Sequence, residues 1–197
     1  MYRWDIINKF IDKYNYSSYL EIGLQDGNCR DKINLPNSKK ITVDPSTHSN
    51  NPTYLMTSDQ FFDLNKEKFD IIFIDGLHEA AQVYKDITNS LKILNTNGTI
   101  VCHDMIPENE NTSKVPRITE IWMGDCWKAW FKFLSTREDL EMFLIDTDAG
   151  IGVIRSGFQK INKNLDKSFE DMDWNFFLEN IKNINKLSIN EFNNYLK

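Results

Sequence analysis

Cysteine is scarce in this chain. Cys29, Cys102 and Cys126 are the only three in 197 residues, and no C-x-x-C pair occurs. An odd, widely spaced set gives no disulfide framework and suits buried thiols in a reducing compartment. Positive charge is also short: 23 Lys and Arg face 29 Asp and Glu, a formal net charge of -6. Nucleic acid and anionic membrane surfaces are therefore not the expected partners. No apolar stretch approaches the roughly 20 residues needed to span a bilayer. The segment Met1 to Tyr14 carries charges throughout and has no apolar signal-peptide core. The expectation is a cytoplasmic protein with no membrane span and no nucleic-acid partner. A homo-oligomer is compatible with the sequence but is not read from it.

The hydrophobic fraction of 41%, with 13% aromatics, is enough to fill a core. We expect one domain over residues 1–157 and a helical extension over 158–197 packed on it. Residues 2–14 place Trp4, Ile7, Phe10, Ile11 and Tyr14 at helical spacing. Tyr19 to Gly23 reads as a strand, followed by the glycine-bearing turn Gly23 to Gly27 and a short helix from Cys29 to Ile33. Lys40 to Asp44 is a second strand, closed by Pro45, and Tyr54-Leu55-Met56 a short third one. Ser58 or Asp59 is expected to cap a helical turn. Phe69 to Ile74 is apolar at nearly every position, the pattern of a strand covered on both faces.

Glu79 to Leu94 keeps an apolar helical stripe and is expected to stop at Asn97-Gly98. Thr99 to Asp104 reads as a strand and Pro107 to Pro116 as a loop. Ile118 to Leu134 has the spacing of an aromatic-rich helix, in which Trp122 and its polar neighbours are a candidate acceptor wall. Two strands, Glu141 to Ile145 and Ile151 to Ile154, follow around a tight turn, and one or two amphipathic helices close the chain. Strand and helix alternate through residue 134, which argues for an open, mostly parallel α/β sheet with an antiparallel edge.

Three carboxylates end strands in this reading: Asp44, Asp75 and Asp104. In parallel sheets ligands bind just beyond these ends. Asp44 follows Gly23 by 21 positions, a place suited to accept hydrogen bonds from ribose hydroxyls. The spacing Gly23-x-x-x-Gly27 is not the G-x-G-x-x-G of dinucleotide sites. Asp75 and Asp104 end strands joined by one helix, and such strands are usually neighbours. Two converging carboxylates repel, so either one is protonated or a cation bridges them. Magnesium or another divalent metal is suited to that task. His78, three residues past Asp75, is placed to act as a general base.

Together Leu20-Glu-Ile-Gly23-x-x-x-Gly27, Val43-Asp44, Phe69-Asp-x-x-Phe-Ile-Asp75-Gly-x-His78 and Gly98-x-Ile-Val-x-His103-Asp104 resemble a class I S-adenosylmethionine-dependent methyltransferase. The subgroup resembled is that of macrocin-type sugar O-methyltransferases, over about residues 17–156. The resemblance implies a Rossmann-like, doubly wound, seven-stranded sheet. It also implies S-adenosylmethionine as cofactor, with Glu21, Gly23, Gly27, Asp44, Ser58, Asp59 and Asp75 around it. It gives His78 the base role and makes Asp75 and Asp104 magnesium ligands. His103 stands where those enzymes carry an acid, as a third candidate ligand. The implied activity is methylation of a hydroxyl on a small polar acceptor, foremost a sugar or sugar nucleotide. A nucleotide-binding oxidoreductase and a catalytically silent, cofactor-binding partner protein are the other classes that such a sheet serves.

Overall fold

The computed structural model describes residues 1–197. Seven strands form one sheet: β1 (Tyr19–Ile22), β2 (Lys40–Val43), β3 (Phe69–Ile74), β4 (Leu94–Cys102), β5 (Leu140–Ile145), β6 (Ile151–Ser156) and β7 (Lys186–Leu187). Their order is β2-β1-β3-β4-β6-β5-β7. The strands β2, β1, β3 and β4 pair in parallel, and β6 is antiparallel to both β4 and β5. The expected doubly wound, mostly parallel architecture with an antiparallel pair near the end is the one observed.

The sheet is covered on both faces, and the pleat sorts the strand residues between two cores. Leu20, Ile22, Ile72, Ile74, Ile100 and Cys102 face one side. There they meet α3 (Ser58–Leu64), α4 (Ala80–Ile93), α6 (Cys126–Thr136) and α7 (Trp174–Asn180). Tyr19, Ile71, Phe73 and Val101 face the other, against α1 (Arg3–Tyr14), α2 (Asn28–Lys32) and α8 (Ile189–Tyr195). A strand apolar on both faces is thus explained by helices above and below it.

Five expectations need correction. Tyr54 to Met56 is not a strand; Tyr54 makes only a single bridge to Val43. The seventh strand is instead β7, inside the C-terminal extension and parallel to β5. The cap of α3 is Thr57, whose side chain accepts from the Gln60 N–H. The helix expected from Ile118 starts only at Cys126. Gly124, at φ 62°, turns the chain so closely against His78 that a Cβ there would meet the His78 carbonyl oxygen at 1.8 Å. A further short helix, α5 (Glu110–Ser113), lies within the expected loop. Asn97-Gly98 lies inside β4, where the register against β3 shifts and Asn97 takes φ 65°.

Candidate active site

Three strands end side by side. The Gly23 N–H donates to Val43 O (2.9 Å), the Asp75 N–H to Ile22 O (2.8 Å) and the His103 N–H to Ile74 O (3.0 Å). Gly23, Asp75 and His103 therefore form one rank across the sheet edge. Gly23 sits at φ 87°, and a Cβ there would meet the Asp75 carbonyl oxygen at 2.1 Å. Only glycine allows this approach. Beyond the rank opens a cleft of about 830 Å³.

At one end of the cleft Asp44 latches the glycine turn. Its Oδ2 accepts from the Leu24 and Gln25 N–H groups at 2.9 and 3.0 Å, and its Oδ1 from the Ser46 N–H at 2.8 Å. Burial would raise this carboxyl, but the N–H groups of Gln25 and Ser46, the Ser49 hydroxyl and the Leu24 N–H outweigh burial and hold it below the usual range. Oδ1 retains capacity for one more donor. Glu21 lies beneath, where burial pushes its carboxyl up to about 8 although the Tyr19 hydroxyl donates to it at 2.5 Å. Ser58 and Asp59 line the same end, together with Gln82 and the buried Asp86. The Gln82 amide nitrogen lies 3.1 Å from Ser58 Oγ, 3.1 Å from Asp59 Oδ1 and 3.0 Å from Asp86 Oδ1. Burial raises Asp86 to about 6.

Gly27 is not in the cleft wall, contrary to expectation. At φ 79° it carries the chain into α2, and its N–H donates to Leu24 O. Its conformational freedom serves the turn.

At the other end the two strand-tip carboxylates do converge. Asp104, two residues past the end of β4, takes φ 59° and lines the cleft. His103 Nδ1 lies 3.2 Å from Asp75 Oδ1 and 3.3 Å from Asp104 Oδ1. His78 touches the same pair, Nε2 at 3.4 Å from Asp75 Oδ1 and Nδ1 at 3.3 Å from Asp104 Oδ2. The Trp122 carbonyl, 3.0 Å from His78 Nδ1, places a proton on that nitrogen. The Trp122 ring stacks on the imidazole at 5.4 Å. Burial disfavours the charged form of His78, but Asp75 and Asp104 outweigh it and raise its pKa. Burial would likewise raise Asp75, yet His103 and His78 hold it well below the carboxylate range. His103 is raised too, since Asp75, Asp104 and Asp148 outweigh its burial.

Two residues that sequence reasoning missed complete this end. Arg3, on the first turn of α1, puts Nε 3.7 Å from Asp75 Oδ2 and Nη1 3.1 Å from His103 Nε2. Asp148, in the β5–β6 turn, accepts from the Arg3 backbone N–H at 2.8 Å and from its Nη1 at 3.1 Å. Burial opposes ionisation of Asp148, but His103 and Arg3 lower it to about 2. Neither residue stands out in the sequence. Arg3 opens an ordinary amphipathic helix, and Asp148 sits in a turn where aspartate is common.

The donor chemistry can be set against the magnesium ion that the resemblance implies. Magnesium takes a near-octahedral shell of oxygens. Asp75, His78 and Asp104 bring one ligand atom each within 4.8 Å of one another. One of the three is nitrogen. A second imidazole nitrogen, from His103, lies against both carboxylates, and the Arg3 guanidinium stands beside them. These residues do not fit magnesium.

Known proteins point the same way as the fold. A family profile described as "Methyltransferase domain" matches residues 20–105. A search of curated proteins gave no match. Among solved structures the chain is similar to the O-methyltransferase TomG from Streptomyces achromogenes, involved in tomaymycin synthesis and determined in complex with SAM. Identity is 13%, over 77% of this chain and 78% of that one, with a TM-score of 0.59. An O-methyltransferase from Bacillus cereus in complex with SAH gives 13%, 79%, 80% and 0.58 in the same terms. The SAH-bound methyltransferase PaMTH1 from Podospora anserina gives 17%, 79%, 78% and 0.57. At these identities the likeness is one of fold. Residues 20–105 thus match a methyltransferase-domain profile, and the sheet that holds them has the Rossmann-like fold of the methyltransferases it resembles.

Proposed function

We propose that this protein is an S-adenosylmethionine-dependent O-methyltransferase acting on a hydroxyl of a small polar acceptor, foremost a sugar or sugar nucleotide. One observation carries the reading. A histidine whose Nδ1 proton is fixed by the Trp122 carbonyl stands at the strand ends with two carboxylates, in the cleft that Gly23 and Asp44 also line. The residues suit the cofactor: Asp44 keeps acceptor capacity for a ribose hydroxyl, Ser58 and Asp59 lie where the adenine falls, and Gly23 leaves the backbone open. When bound, the cofactor supplies a methyl group already activated on a sulfonium.

The chain supplies position and a proton acceptor. Asp104 and Asp75 accept hydrogen bonds from acceptor hydroxyls next to the one that reacts, and so orient it toward His78. His78 takes the hydroxyl proton at Nε2 as the oxygen–carbon bond forms and the carbon–sulfur bond breaks. Asp75 and Asp104 stabilise the imidazolium that results. Trp122, with Arg117 and Glu120 on the same loop, forms the acceptor side of the cleft.

The deciding measurement is calorimetry with S-adenosylmethionine and with NAD, followed by a screen of sugars and sugar nucleotides with methyl-labelled cofactor. Binding of S-adenosylmethionine and label on a sugar oxygen are expected. Binding of NAD alone would sink the reading, and label only on a non-carbohydrate acceptor would sink its sugar part.

A further inference from the structure

The carboxylates at the base end of the cleft are already met by a ring N–H donor and a guanidinium of the chain itself. His103 Nδ1 lies within 3.3 Å of an oxygen from each of Asp75 and Asp104, the position a bridging cation takes. It is held there by its backbone, because the His103 N–H continues the β3–β4 ladder. Arg3 backs it on the far side. Its Nη1 is 3.1 Å from His103 Nε2, and the two share Asp148 as counter-ion, at 3.1 Å from Arg3 and 3.7 Å from His103. The Arg3 Nε is buried with no hydrogen-bond partner and lies 3.7 Å from Asp75 Oδ2. A divalent ion at the pair would have to displace the imidazole from both oxygens and stand close to a guanidinium. That guanidinium keeps its charge at any working pH.

We propose that Arg3 and His103 take the electrostatic part of a bridging divalent cation at Asp75 and Asp104, so that this site works without a metal. Arg3 is then a positioning residue: through His103 and Asp148 it holds the two carboxylates together for the acceptor. The inference rests on the methyl-transfer reading of the cleft, but its test does not.

The test titrates the full chain with Mn²⁺, followed by electron paramagnetic resonance and calorimetry, with and without S-adenosylmethionine. The wild-type protein is expected to bind no Mn²⁺ in the micromolar range, and its affinity for S-adenosylmethionine to be unchanged by chelator. His103→Asp sets a third carboxylate beside Asp75 and Asp104 and is expected to tighten Mn²⁺ binding at least about tenfold. Arg3→Met, a change at the half-buried start of α1, is expected to shift it in the same direction by less. One Mn²⁺ bound per wild-type chain at micromolar concentration, and lost in Asp75→Asn, would overturn the proposal. So would unchanged Mn²⁺ affinity in both variants. If the chain bound no S-adenosylmethionine under any condition, the methyl-transfer reading would fall while the Mn²⁺ titration kept its meaning.

Discussion

In the proposed reaction His78 is the base, and its surroundings decide how it titrates. Asp75 and Asp104 raise its pKa against the effect of burial. The base form is therefore the one that appears as pH rises, and methyl transfer should climb through a limb above the ordinary imidazole value. Asp104→Asn removes one of the charges that raise it. The limb is expected to move to lower pH, read from a pH–rate profile, and an unmoved limb would assign it to another group. His78→Ala should lower turnover by about 10²–10⁴ while leaving cofactor affinity near wild type. Glu21 makes a prediction about stability. Its folded pKa of about 8 exceeds the usual carboxylate value because the site is dry. The folded state thus holds a proton that the unfolded chain releases. The stability Glu21 confers is complete at acid pH and is lost as pH rises to about 8. Glu21→Gln should flatten that slope and melt higher than wild type above pH 8, as thermal unfolding across pH would show.

At the scale of elements, the parallel half of the sheet was legible and the acceptor side was not. β1 to β4 end within two residues of where the sequence places them, because apolar β-branched runs stop at Gly, Asp and Pro. The rank of Gly23, Asp75 and His103 needed the register, which no single strand carries. The segment before α6 was misread because Trp122 keeps helical spacing with Trp127 and Trp130. Yet Trp122 serves His78, not the helix core, and the left-handed Gly124 breaks the run. Spacing reports a periodic face and is blind to a chain folded back on a partner 44 residues away. Gly124→Ala forces a Cβ against the His78 carbonyl at 1.8 Å, on top of about 1–2 kcal/mol for a left-handed non-glycine residue. It should shift the loop, lower turnover about tenfold or more, and disturb cofactor affinity little. Equal losses in both would contradict the placement of Trp122 on the acceptor side.

For the whole molecule, the last 40 residues are structural members of the fold, and no helix in it is long and apolar enough to cross a membrane. β7 adds the final strand, and Phe192 of α8 is fully buried against Phe10 of α1 at 5.6 Å. The two ends of the chain thus seal one face together. Phe192→Ala should cost about 3–5 kcal/mol, the usual price of an aromatic cavity, measured by denaturant unfolding. Because α1 carries Arg3 about 10 Å along the helix from Phe10, that loss should also loosen the site through α1.

Asp44 has a consequence for how variants of this protein will be read. Its oxygens fasten the turn at Leu24 and Gln25 to the end of β2 while one of them faces the cleft. The same atoms build the floor and greet the guest. Asp44→Asn therefore cannot be scored as the loss of a single ribose contact: an amide in its place sets a donor against backbone N–H groups, and the turn lets go. Affinity and local order will fall together, and the ligand in turn should act as a mortar that protects the turn from hydrogen exchange.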